Sequence, residues 1–177
     1  MILSKTRQQE AHKALSEEFG YKNVMASPRI LKIVVSSGVG KARDKNRNKV
    51  VEDRLAKITG QKPAERVARQ SIASFKLREG EIVGYQATLR GARMYEFLDK
   101  LIHISLPRTR DFRGLNISAV DGMGNLTIGI KEHTIFPEIV DEDLKDVFGL
   151  AITIVTTAKT KAEAEAFFKH MGIPFKK

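Results

Sequence analysis

Apolar and polar positions along the chain follow two alternating periods. From Leu3 to Phe19 apolar or small residues stand at Leu3, Ala11, Ala14, Leu15 and Phe19, and Gly20 follows, so a first helix is predicted there. After Pro28 the period falls to two. Leu31, Ile33 and Val35 take one side of Ile30–Ser36, and Lys32, Val34 and Ser36 the other, which predicts a strand with a core face and a partly polar face. Gly38-Val-Gly40 opens a loop, Lys41 to Lys49 carries five basic residues among nine, and a second helix follows with Val51, Leu55 and Ile58 on one face. Gly60 and Pro63 stop it.

Alternation returns from Gly80 to Arg90, with Val83, Tyr85, Ala87 and Leu89 on one face and Ile82, Gly84, Gln86, Thr88 and Arg90 on the other. Met94, Phe97, Leu98, Leu101 and Ile102 then fall at helical spacing, and that helix ends before Pro107. A hairpin is predicted from Ile117 to Ile130 around Asp121-Gly-Met-Gly-Asn125, an amphipathic stretch near Asp141–Phe148, and a strand at Leu150–Thr157. Thr160 and Glu163 form a capping box for a last helix whose apolar stripe is Ala164, Phe167, Phe168 and Met171. No internal repeat or linker interrupts the chain, so residues 1–177 read as a single domain. Striped helices alternating with two-faced strands predict an α+β fold: a two-layer, mainly antiparallel sheet with helices packed on one face and the other face open.

Composition narrows the function. With no Cys, disulfide scaffolds and Cys-based zinc sites are excluded. The net charge of +10 calls for a polyanion to neutralise it, with nucleic acid ahead of an anionic membrane. No apolar run approaches the roughly 20 residues of a spanning helix, the N-terminus does not read as a secretory signal, and the cytoplasm is the expected location. The surplus is uneven: residues 1–70 hold 16 basic and 7 acidic side chains, residues 71–113 hold 8 and 5, and the remainder 7 and 9. The open sheet face, with Lys32, Ser36, Gln86, Thr88 and Arg90, is therefore a candidate RNA platform. The acidic cluster Glu138, Asp141, Glu142, Asp143 and Asp146 would repel phosphates and suits solvent or a basic protein partner.

Catalytic chemistry finds little support. Gly38-Val-Gly40-Lys41-Ala42 lacks the first Gly of a Walker A loop and has Ala after the Lys, and a dinucleotide fingerprint would need Gly where Arg43 stands. His12, His103, His133 and His170 show no metal-ligand spacing, His103 falls on the solvent side of its helix, and no nucleophile elbow is present. Phe75, set among Ser71, Lys76 and Arg78, reads either as a core anchor for its loop or as a stacking surface for RNA. Asp111 stands among Arg108, Arg110 and Arg113, where it can tie the arginines down in part.

A likeness then emerges from runs spread in order along the chain. These are Thr59-Gly-Gln-Lys-Pro63, Phe75-Lys76 with Arg78 and Gly80, Thr88-Leu-Arg90, and Leu106-Pro-Arg108 with Arg110-Asp-Phe-Arg-Gly-Leu115. Asp121-Gly122 with Gly124-Asn125, Ile135-Phe-Pro-Glu-Ile139, Thr156-Thr-Ala158 and Pro174-Phe175 continue the series. Together they closely resemble the bacterial L-five family of large-subunit ribosomal proteins. The resemblance implies a non-catalytic α+β protein of the central protuberance that binds 5S rRNA and large-subunit rRNA, contacts P-site tRNA and bridges to the small-subunit protein S-thirteen. It implies no cofactor or metal, no membrane and no homo-oligomer. The rRNA-binding set would be Arg29, Lys32, Ser36, Lys41, Arg43, Gln61, Thr88 and Arg90. The tRNA-contacting loop would be Ser71, Phe75, Lys76, Arg78 and Gly80, and the bridge Arg108, Arg110, Asp141, Glu142 and Asp143. Three departures stand out against the family pattern: Ser36 where Asn is frequent, Glu79 and Glu81 flanking the loop glycine, and Met123 in place of a frequent Arg.

Overall fold

A computed structural model describes residues 3–40, 45–110, 112–139 and 147–176. Its elements are α1 (Leu3–Phe19), β1 (Ile30–Gly38), α2 (Lys45–Thr59), β2 (Ala64–Val67), β3 (Ile82–Leu89), α3 (Gly91–Lys100), β4 (Leu126–Ile130), β5 (Leu150–Thr156) and α4 (Lys161–His170). The strands form one mainly antiparallel sheet of order β2-β3-β1-β5-β4. Burial alternates over most of each strand: Ile33, Val35, Tyr85, Ala87, Leu89, Ile128, Ile152 and Ile154 are buried, whereas Leu31, expected on the core side, is 41% exposed with Ile30 buried before it, and Val83 is only half-buried. The intervening Lys32, Val34, Ser36, Gln86, Thr88, Ala151, Thr153 and Val155 are half-buried. This is the α+β architecture with one open sheet face that the alternation predicts.

Two compact units are built along these strands. The first is Met1–Ile33, Leu89–Ile128 and Ile152–Lys177. In it α1 packs against α3 and α4, over a core that includes Phe97, Leu98, Leu101, Phe167 and Phe168; each such side chain contributes about 1.5–3 kcal/mol by leaving water. The α1 stripe is narrower than its sequence suggests. Ala11 and Leu15 are buried, but Leu3 is 40% exposed and Ala14 is also exposed. The helix start is held instead by a polar contact, in which Ser4 donates its backbone N–H (2.9 Å) and its hydroxyl to Asp99 Oδ1. A carboxylate beside the first turn also complements the helix dipole.

Three further predictions for this unit are refined. Thr160 caps α4 as expected, accepting from the Glu163 N–H at 3.3 Å, but Glu163 returns its bond one residue early, to Lys159 N at 2.7 Å. The other carboxylate oxygen of the buried Glu163 accepts from the Tyr21 hydroxyl. Burial first, and then this carboxylate and Glu18, push the Tyr21 phenol well above the ordinary tyrosine range. The apolar stripe of α3 continues through a single π-type turn, Leu101–Ser105, closed by Leu106 N to Leu101 O at 2.9 Å, and His103 is exposed.

The hairpin predicted from Ile117 to Ile130 shrinks to one antiparallel bridge, Val120 with Leu126, because Ile117–Ala119 is a 3-10 turn started by Asn116. The turn itself is tight. Asp121 Oδ1 accepts from Met123 N (3.0 Å) and Asn125 N (2.7 Å), and these N–H groups, that of Asn125 foremost, hold its carboxyl below the usual range.

The second unit is Val34–Thr88 and Gly129–Ala151. Val51, Leu55 and Ile58 of α2 are buried as predicted, and α2 packs on the 3-10 turn Pro137–Ile139. A buried Arg54 places Nη1 3.0 Å from His133 Nε2, and His133 stacks on Phe148 with centroids 4.1 Å apart. Most of the amphipathic stretch predicted near Asp141–Phe148 lies outside the described residues. The sequence pattern does not announce the small strand β2: all four of its residues are exposed, so they carry no burial period to read.

At Gly84 of β3 a Cβ would lie 2.8 Å from the Ser37 carbonyl oxygen of β1. Gly84→Ala is therefore expected to cost about 1–3 kcal/mol through overpacking. Gly129→Ala, with nothing within 4 Å of the added Cβ, should stay within about 0.5 kcal/mol of the parent. Urea-unfolding midpoints of the two variants test this, and equal midpoints would refute it.

Candidate nucleic-acid interface

In the second unit the turn after α2 delivers Gln61 to β3. Thr59 Oγ1 donates to Leu55 O (2.7 Å) or Gln61 O (3.0 Å), tightening the helix end. Gln61 Nε2 then donates to Thr88 O at 3.0 Å. That bond orients the amide and leaves its Oε1 as an acceptor; the Thr88 hydroxyl has no partner among the described residues. On the same face of β3, Gln86 accepts from Arg66 Nε at 2.6 Å. Among the described residues the Ser36 hydroxyl makes one long contact, to Ala151 O at 3.5 Å.

Beside Gln61 lies a shallow groove of about 630 Å3 lined by residues including Lys49, Glu52, Asp53, Lys57 and Lys62. Two of its lysines face carboxylates, Lys57 with Asp53 at 2.9 Å and Lys62 with Glu52 at 3.5 Å. The groove is thus of mixed charge, whereas the β3 face has polar groups aimed outward. Gly38 ends β1 and Gly40 begins the following turn, while Lys41 and Arg43 lie outside the described residues. Of the basic segment, Arg47 bonds Val147 O at 3.3 Å and Lys49 is exposed.

The loop between β2 and β3 is shaped by its own backbone. Ile72 and Leu77 pair in both directions (2.9 and 3.1 Å), and Gly80 N donates to Ala68 O at 3.0 Å. Ser71 Oγ accepts from Glu79 N at 2.9 Å and Glu81 Oε2 from Arg78 N at 3.2 Å, so Ser71 and Glu81 serve the loop's framework. At the tip a 3-10 turn, Ala73–Phe75, ends on Lys76, the one non-glycine residue at positive φ (51°) among the described residues. Phe75 is 75% exposed. The core-anchor reading of Phe75 is therefore excluded, and its exposed ring, next in sequence to Lys76, is a surface on which a base can stack.

The remaining described residues of the predicted set belong to the first unit. Arg29 is exposed, with its backbone clasped by Thr157: Arg29 N to Thr157 Oγ1 and Thr157 N to Arg29 O, both 3.0 Å. Lys32 is half-buried, and Arg90, at the start of α3, is exposed. Arg108 and Arg110 are exposed in the turns after α3. Asp111, Asp141, Glu142 and Asp143 lie outside the described residues. The residue that the sequence reading overlooked is Arg66. Its partner lies 20 positions away on a strand whose pairing no local pattern announces.

Comparison with known proteins gives one answer over nearly the whole chain. Residues 23–78 match the family model described as ribosomal protein L5, and residues 82–175 match the model for the C-terminus of that ribosomal family. The chain is 49% identical over 165 residues to the large ribosomal subunit protein uL5 of Anaeromyxobacter sp. (strain K), covering 92% of this chain and 91% of that protein. Identity to the uL5 protein of Flavobacterium johnsoniae is 51% over 165 residues, covering 93% and 90%. To that of Halothermothrix orenii it is 47% over 175 residues, covering 98% of each.

The left-handed residue at the loop tip yields a test. A β-branched side chain is strained at this φ by about 1–2 kcal/mol, whereas Asn tolerates it. Lys76→Val is expected to speed hydrogen exchange at the Ile72 and Leu77 amides about tenfold. Lys76→Asn should leave those rates near the parent's, and equal protection in both variants would show that the tip conformation is not needed for the pairing.

Proposed function

The chain belongs to the ribosomal protein L5 family, and on that premise we propose that it binds 5S rRNA through its open sheet face and helps attach that RNA in the central protuberance of the large ribosomal subunit. As a member of this family it is a structural component of the large subunit rather than an enzyme, and its place is the cytoplasmic ribosome. The observation that carries the RNA-binding reading is the Gln61–Thr88 bond, which fixes the Gln61 amide on a β3 carbonyl and leaves its Oε1 to accept from a ligand. Lys32, Lys41, Arg43, Arg29 and Arg90 supply phosphate attraction, and Gln61, Thr88 and Ser36 supply register.

The finer assignments follow the same division of chemistry. The loop from Ser71 to Gly80, with its exposed Phe75 and its cations, contacts P-site tRNA. Arg108 and Arg110, with the acidic segment at Asp141, Glu142 and Asp143, bridge to the small-subunit protein S-thirteen. Large-subunit rRNA is the second RNA partner.

Binding of the full chain to 5S rRNA, unrelated RNA of equal length and tRNA over a potassium chloride series tests the central claim. Preference for 5S rRNA persisting at the higher salts is expected, because base and sugar contacts outlast screening of phosphate contacts. Equal affinity for all three at every salt would defeat it. Reversing the charges of Asp141, Glu142 and Asp143 should weaken subunit joining and leave 5S rRNA binding intact; loss of RNA binding instead would remove the bridge assignment.

A further inference from the structure

We propose that Arg66 and Gln86 form an RNA-reading pair, in which Gln86 holds the guanidinium so that its outer edge meets a phosphate or a guanine; this rests on the RNA-binding reading above. Register places the pair on the right face. Arg66 opposes Gly84 across the β2–β3 ladder and Ala64 opposes Gln86, so Arg66 and Gln86 are diagonal neighbours on the face that also carries Thr88. Gly84 has no side chain to stand in the way, and Arg66 Nε reaches Gln86 Oε1 at 2.6 Å. No carboxylate pairs with Arg66 among the described residues. The adjacent Glu65 opposes Tyr85 on the other face; burial and then Glu52 and Glu65 push that phenol up, which agrees with this placement.

The chemistry follows from which donors are used. A guanidinium has a side edge, Nε with one Nη, and an end edge, the two Nη groups. Gln86 takes the Nε–H, leaving the end edge for a bidentate contact with one phosphate or with guanine O6 and N7. Fixing the side chain beforehand removes part of the ordering cost of binding, which a lysine at this position would still bear. Thr88 lies two residues from Gln86 on β3, about 7 Å along the strand, and Gln61 is bonded to it. Gln61, Thr88, Gln86 and Arg66 thus form one polar track ending in a cation at the sheet edge.

The experiment compares the full-length parent with Arg66→Ala, Arg66→Lys, Gln86→Ala and the Arg66/Gln86 double alanine variant, measuring 5S rRNA affinity over a salt series. Arg66→Ala should weaken binding about tenfold and lower the salt slope by about one. Gln86→Ala removes no charge, so the slope should hold while affinity falls severalfold. The double variant should be little worse than Arg66→Ala alone, and Arg66→Lys should keep the slope but not the affinity.

Unchanged affinity in Arg66→Ala, or strictly additive losses in the double variant, would overturn the proposal. So would intact RNA binding with concentration-dependent self-association of Arg66→Ala, since the arginine would then be a guard on an edge strand. Whether the parent prefers 5S rRNA at all decides the earlier reading separately. If it does not, the same variants are measured on whichever of large-subunit rRNA and tRNA the parent binds more tightly, with the same outcomes deciding.

Discussion

The strand pleat imposes the constraint on which the other features rest, because a chain that buries Ile33, Val35, Tyr85, Ala87, Leu89, Ile152 and Ile154 must turn their neighbours the other way. Within the second unit Ser36, Gln86 and Thr88 turn away from the core for that reason. A shift of one residue in any pairing would exchange the two sets, placing a lysine in the core and isoleucines in the solvent. The contact between Gly84 and the Ser37 carbonyl works against such a shift, since only a residue without Cβ fits at that point.

On this frame the polar groups are held by short-range bonds. Gln61 is tied to a β3 carbonyl, Arg66 to Gln86, and the 71–80 loop to itself by paired backbone amides. Such groups lose little freedom on meeting a ligand, so more of their interaction energy is available for recognition. Phosphate attraction from lysine and arginine acts at long range and carries no sequence information, whereas these fixed amides and hydroxyls act only on contact. The protein has both: a basic surplus concentrated in its first 70 residues and a small number of oriented polar groups on the sheet.

Away from that face, buried polar groups hold the chain where apolar patterning is thin. Glu163 gathers Tyr21 and Lys159 at the start of α4, Asp99 receives the first turn of α1, and Arg54 meets His133 inside the second unit. Burying such groups is costly unless each finds partners. Of these, the Ser4–Asp99 bonds act on α1, and with Arg7 donating to Met171 O and His170 to Arg7 O they hold a helix that buries only Ala11 and Leu15 among its apolar residues.

The amino-acid sequence by itself determined the four helices, the four longer strands, the open polar face and the charge gradient, because each is written in local period or local count. It also marked Gln61, Thr88 and the loop around Phe75 through motifs that survive in one dimension. The reading failed where the deciding partner is distant. β2 has no burial period and exists by pairing with β3; the arm expected before Asp121 gave way to an Asn116-capped turn; Glu163 accepts from Lys159 and from Tyr21, 142 residues away. Only the tertiary structure could choose between the two readings of Phe75 and bring Arg66 to Gln86. Exposure and cross-strand contact depend on which residues the folded chain places nearby, and no window of consecutive residues contains that information.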